Sequence, residues 1–211
     1  ARAYDVYLNN DKNSIQDPIT GDWILAIAGG KNLTIKPEFR DINGKKLSVA
    51  VKWEIDKLYD DYGTAFVKSF KNGTLVTEKV TQPKFTTVTF KVSEDLVDPA
   101  YGTPDEDGNI RFTVIVGVYP ATTSLQITEN GRVVTQDLWR KVGCAPFQLS
   151  AQTNEYAAPG WEWKSSNEKI AWVDPFTGEV YSTGKAGTVT ITATAKDGTG
   201  KKDSVKIVFA N

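Results

Sequence analysis

The chain has 211 residues, with 25 Lys and Arg against 26 Asp and Glu, so its formal net charge is −1. That balance supplies no basic face to displace counterions from nucleic acid, and no apolar run approaches the length of a membrane-spanning helix. His is absent and Cys occurs once, which excludes His-based acid–base or nucleophilic catalysis, an intrachain disulfide and a Cys-built zinc site. Met is absent too, which points to a piece of a longer protein whose signal peptide, anchor or other domains lie elsewhere.

Taken in chain order, the sequence reads as short strands between Gly, Asn, Asp and Pro. Residues 4–8 offer an opening strand in a weakly patterned segment, 1–20. The longest apolar run is 23–28, about one strand long. Strands are expected at 32–39 and 47–55, followed by an insertion rich in Asp and Tyr at 56–63. The next are 86–92 and 110–118, separated by an acidic insertion, 93–109, broken by Pro99 and Pro104. After that come 124–128, 147–152, 160–165, 188–195 and 204–209. Alternation places Val189, Ile191 and Ala193 on the inner side of one strand and Val205, Ile207 and Phe209 on that of another. Asn72-Gly73 and Pro175-Phe176-Thr177-Gly178 fit hairpin turns. Many short strands without long helices make the chain all-β, a sandwich or barrel class.

The order of features occurs twice. Gly30, Trp53, Phe66-Val67, Asn72-Gly73-Thr74-Leu75 and Thr87-Val88-Thr89-Phe90 in the first half answer to Gly143, Trp163, Trp172-Val173, Thr177-Gly178-Glu179-Val180 and Thr188-Val189-Thr190-Ile191 in the second. Two copies of one strand order imply two domains, 1–119 and 120–211, with the join at Tyr119-Pro120. The first is longer by insertions at loops, which a sandwich tolerates cheaply.

The second half resembles the group 2 bacterial immunoglobulin-like domains. The resemblance rests on Val142-Gly143, Phe147-Gln148-Leu149-Ser150-Ala151, Trp163-Lys164-Ser165-Ser166-Asn167, Ile170-Ala171-Trp172-Val173-Asp174, Thr177-Gly178-Glu179-Val180 and Ala186-Gly187-Thr188-Val189-Thr190-Ile191-Thr192-Ala193-Thr194. The first half is a more divergent match, with no Ser-Ser-Asn after Trp53. The resemblance implies two tandem immunoglobulin-like Greek-key β-sandwiches. It also implies a non-enzymatic module of a bacterial cell-surface or secreted protein, of the kind found in adhesins, in accessory parts of secreted hydrolases and in phage structural proteins. The partners it implies are other domains of the parent chain and a surface glycan or host protein, with the module itself a monomer. It brings no catalytic residues.

The residues that could carry a function are few, and each has a plainer structural reading. Trp53 and Trp163 fit the space between sheets, with Val173, Val189, Ile191 and Ile207 in the same core. Trp172 points away from it, and Tyr181 lies on the next strand. Such an exposed aromatic pair suits a sugar ring or a proline-rich partner, or else packing against a neighbour. Asp105, Asp107, Asp60 and Asp61 carry the hard oxygen ligands calcium takes, without the spacing of an EF-hand, and otherwise read as solvated loops. No other cofactor is expected. Paired carboxylates such as Asp60 and Asp61 are sequence neighbours on a loop, which does not set them across a cleft for glycoside hydrolysis. Cys144 reads as an inert packed thiol.

Overall fold

A computed structural model describes all residues, 1–211. It divides into two compact units, Ala1–Pro120 and Ala121–Asn211.

The first unit contains eleven strands: β1 (Asp5–Leu8), β2 (Ser14–Gln16), β3 (Trp23–Ala28), β4 (Asn32–Thr34), β5 (Pro37–Arg40), β6 (Lys46–Leu47), β7 (Lys52–Ile55), β8 (Val67–Lys71), β9 (Thr74–Thr77), β10 (Lys84–Ser93) and β11 (Asn109–Tyr119). They form a five-stranded sheet, β2-β3-β11-β10-β7, and two three-stranded pieces, β1-β5-β6 and β4-β9-β8. Leu33, Phe39, Phe66, Leu75, Val88, Phe90 and Val116, drawn from all three, share one buried core. The second unit contains ten: β12 (Leu125–Glu129), β13 (Arg132–Val133), β14 (Leu138–Lys141), β15 (Phe147–Gln148), β16 (Ser150–Thr153), β17 (Trp161–Ser165), β18 (Ala171–Val173), β19 (Glu179–Ser182), β20 (Gly187–Ala195) and β21 (Lys202–Ala210). Here the sheet β14-β21-β20-β17 is joined by β13-β12-β16 and β15-β19-β18, and Leu149, Trp163, Val180, Ile191 and Ile207 belong to a single core.

Three expected strands are each split across sheets. Residues 32–39 break between β4 and β5, where Pro37 cannot donate to a ladder. The side chain of Asn10 covers the break, donating to the Thr34 carbonyl at 2.9 Å and accepting from the Lys36 amide at 2.7 Å. Residues 147–152 break at Leu149, whose amide turns aside to the Gly178 carbonyl at 3.2 Å. Residues 47–55 likewise divide into β6 and β7. The acidic insertion contains two single 3-10 turns, Glu94–Leu96 and Pro99–Tyr101. The short strands β2, β13 and β14 go unseen in the sequence pattern.

The two units repeat each other in hydrogen-bond detail. In each, one strand runs parallel to the last: β3 beside β11, with Ala28 opposite Tyr119, and β14 beside β21, with Lys141 opposite Ala210. The amide following each parallel strand closes on the last strand at 2.8 Å, Gly29 on the Tyr119 carbonyl and Val142 on the Ala210 carbonyl. One residue on, the amides of Gly30 and Gly143 donate to the hydroxyls of Thr77 and Ser182, both at 3.1 Å.

Each unit also seats its sheet-spanning tryptophan on a hairpin glycine. Trp163 is 2% exposed and lies opposite the small Ala193 in β20. A Cβ on Gly178, which has φ +78°, would stand 2.6 Å from the Trp163 indole. Trp53 pairs with Phe90, ring centroids 5.8 Å apart, and a Cβ on Gly73 would stand 2.6 Å from its ring. Trp53 is half-buried, so the first seat is the looser of the two.

Candidate functional site

The acidic loops use their carboxylates internally. Asp105 accepts from the amides of Asp107 and Asn109 at 3.1 and 3.0 Å, capping its own turn. Its second oxygen faces Lys91 at 3.6 Å and Arg111 at 3.8 Å, and both cations also pair with Glu54. The Asn109 amide does most to hold the Asp105 carboxyl below the usual range. Asp60 does the same with the amides of Tyr62 and Thr64, at 3.0 and 2.8 Å, and pairs with Lys84 at 2.9 Å. That ammonium is the main cause of its lowered pKa. Asp107 and Asp61 are exposed, and Asp61 pairs with Lys57 at 3.4 Å. No three Asp, Glu or Cys side chains converge as metal ligands.

Buried polar groups in the second unit are also committed. Asp197 is fully enclosed and accepts four hydrogen bonds. One oxygen takes the Thr122 amide and hydroxyl at 2.9 and 2.6 Å, the other the Thr199 amide and hydroxyl at 3.0 and 2.6 Å. This ties the start of the unit to the turn between β20 and β21. A depression of about 530 Å³ lies beside the β12–β13 hairpin. Two of its carboxylates are already paired, Glu129 with Arg140 and Asp137 with Lys206.

The aromatic step on β18 and β19 is differently placed. Trp172 is 39% exposed and lies directly opposite Tyr181, ring centroids 5.1 Å apart and inclined at 45°. The Tyr181 hydroxyl donates to Glu179 at 2.5 Å, a bond that raises the phenol pKa and fixes the ring. Beside Trp172 a cleft of about 280 Å³ opens between the edge strands β17 and β18. Its rim carries Glu162, Lys164 and Glu168.

Register corrects one correspondence between the halves. Leu75 and Val180 occupy the same place, opposite Leu33 and Phe147. Counting from them, Tyr181 answers to Val76, and Trp172 to Ser69 rather than to Phe66. The irregularity between Val67 and Ser69 shifts the count, and Phe66 is a buried core residue.

The remaining sequence candidates fall as follows. Val173, Val189, Ile191 and Ile207 are buried in the second core with Trp163, and Trp53 packs from a half-buried position onto Phe70 and Phe90. Cys144 is half-buried against the second core. Two further aromatics lie open to solvent: Trp139, 66% exposed on the edge strand β14, and Tyr156, in a loop with φ 63°. Sequence reasoning missed Asp197, because one Asp before a Gly reads as an ordinary turn. The threonine partners, Thr122 and Thr199, are what distinguish it.

Residues 146–205 match the family model described as the bacterial Ig-like domain (group 2). No curated protein sequence matches the chain. Among solved structures, an intimin mutant of EHEC O157:H7 aligns at 27% identity over 42% of this chain and 47% of its own, with a TM-score of 0.31. A C-terminal 282-residue fragment of intimin, in complex with the intimin-binding domain of its translocated receptor, aligns at 19% identity with a TM-score of 0.32. That alignment covers 100% of this chain and 65% of the fragment. Domains 4 and 5 of the S-layer protein SbsC align at 16% identity over 100% of both chains, with a TM-score of 0.32. The chain thus spans 47% and 65% of the two intimin chains.

Proposed function

We propose that this chain, whose second unit is a group 2 bacterial Ig-like domain over residues 146–205, is a non-catalytic spacer of a bacterial surface protein. In this reading it joins other domains of a longer polypeptide outside the cell and carries tension between them.

One observation carries the reading: each unit closes on a parallel ladder between an early strand and its last, β3 with β11 and β14 with β21. When the chain ends are pulled apart and the strands that precede it in its unit have given way, the parallel strand is drawn toward its N-terminus and the last strand toward its C-terminus. The ladder bonds are then loaded together in shear. A hairpin pulled at its open end instead loses its bonds one at a time. Resistance to force is set by the unfolding rate, which this geometry slows. The non-catalytic part is supported by the use of polar groups: the carboxylates of Asp60, Asp105 and Asp197 are held by turn amides, hydroxyls and cations of the fold itself.

Single-molecule extension of the full chain from its ends tests the proposal. Two separate unfolding events, one per unit, are expected. Extension without resolved events, as for a chain that yields at negligible force, would count against a load-bearing role.

A further inference from the structure

We infer that the cleft between β17 and β18, walled by Trp172, is a binding site for a neutral saccharide. The inference is independent of the load-bearing role, since none of its residues lies in either parallel ladder.

The first ground is an internal control. The first unit builds the same pair of strands with Ser69 and Val76 where the second has Trp172 and Tyr181. A side chain as small as Ser69 therefore satisfies the fold there, and packing does not require an indole. Trp172 nonetheless leaves 39% of its surface in water. With Tyr181 beside it the ring forms a two-ring aromatic step at the mouth of a cleft, and it is this pairing of an exposed aromatic patch with a concave site that marks a contact surface.

The second ground is preorganisation. The Trp172 ring is braced by Tyr181 at 5.1 Å, and Tyr181 is itself fixed by its 2.5 Å bond to Glu179. Two rigid aromatic side chains cost little conformational entropy when a ligand settles on them.

The third ground is the chemistry of the rim. A pyranose presents an apolar C–H face to an aromatic ring and a circle of hydroxyls that both donate and accept. Glu162 and Glu168 supply acceptors and Lys164 a donor around the indole. Glu162 and Lys164 are 3.3 Å apart, but Lys164 is 71% exposed, so hydroxyls can replace that contact cheaply. Glu168 is exposed and enters no ion pair. A cleft of about 280 Å³ lies at the small end of ligand sites and suits about one or two sugar rings. Two aromatic rings within a charged rim are too little apolar area for a standard protein interface.

The full chain should be screened on a glycan array. The best-bound oligosaccharide is then titrated while amide NMR shifts are followed, with a proline-rich decapeptide as the alternative probe. Shifts are expected at Trp172, Tyr181, Lys164 and Glu168. Trp172→Ala is expected to weaken binding by about tenfold, with the melting temperature held near wild type because the ring is outside the core. Tyr181→Phe, which frees the ring from Glu179 without removing it, is expected to weaken binding by a smaller factor. Three results would overturn the assignment: no saccharide bound on the array, saccharide shifts clustered elsewhere, or occupation of the cleft by the peptide alone.

Discussion

Substituting Gly178 by Ala tests the account of the core at its tightest point. The new Cβ would stand 2.6 Å from Trp163 Cε2, 2.8 Å from the Leu149 carbonyl oxygen and 2.9 Å from Trp163 Nε1. Trp163 is 2% exposed and has nowhere to retreat. Two costs add. Holding Ala at φ +78° costs about 1–2 kcal/mol, and overpacking against an enclosed ring costs about 1–3 kcal/mol more. The sum, about 2–5 kcal/mol, is a large share of the stability of a unit this size. It corresponds to a melting shift on the order of 10–30 °C. Gly131 separates the two costs, since its φ is +76° and a Cβ there meets nothing within 4 Å. Gly131→Ala should therefore show the backbone cost alone. Gly73→Ala should fall between them, because the half-buried Trp53 can shift. The assay is chemical denaturation of the full chain followed by NMR signals resolved for each unit, so that the two transitions are read separately. If Gly178→Ala costs no more than Gly131→Ala, within about 0.5 kcal/mol, the seat of Trp163 on Gly178 is refuted.

Other perturbations probe the remaining parts. Asp197→Ala leaves the amides and hydroxyls of Thr122 and Thr199 without their acceptor. It should cost about 2–4 kcal/mol and speed hydrogen exchange at Thr122; unchanged exchange would mean that the tie is not made in solution. Glu38, bonded by Tyr7, Arg40 and Lys46, has its carboxyl lowered from 4.5 to about 2. A depressed carboxyl stabilises the fold above its unfolded value, and that contribution disappears as pH falls from about 4.5 toward 2. Glu38→Gln should flatten the acid loss of the first unit in that window, read from melting temperatures across pH; an identical profile would exclude Glu38 as its source. Millimolar calcium should leave both melting transitions where EDTA leaves them, because Asp60 and Asp105 are held by amides and cations. A calcium-dependent rise abolished by Asp105→Ala would reverse that reading.

Much of this architecture is visible in the sequence because alternation and turn chemistry are local signals. Val189, Ile191 and Ile207 face inward as their spacing implies, and the order from Trp to Gly to the Thr-Val-Thr strand occurs in both halves. What escapes is long-range. That residues 32–39 leave one sheet piece for another depends on Asn10, 24 and 26 positions away from its partners, Thr34 and Lys36. The strand at Leu138-Trp139-Arg140-Lys141 lacks β-branched alternation and has β21 as its one ladder partner. In the acidic loops composition shows the oxygen donors of Asp60 and Asp105 but not the turn amides bonded to them. The exposure of Trp172 follows from its two inward neighbours, Ala171 and Val173, whereas the contrast with Ser69 needs the register of β8.

The central claim, that parallel ladders carry load, is tested most directly by pulling the full chain from its ends with and without the β14 ladder. The Val142 amide reaches the Ala210 carbonyl at 2.8 Å, and Arg140, two residues earlier, turns its amide to the same side. Arg140→Pro removes that donor and breaks the ladder. Arg140→Ala removes only the side chain that pairs with Glu129 and lies over Phe147. The account predicts that Arg140→Pro sharply lowers the force at which the second unit unfolds. Arg140→Ala should stay near wild type, with the first unit's event unchanged in both. Equal forces for wild type and Arg140→Pro would contradict it.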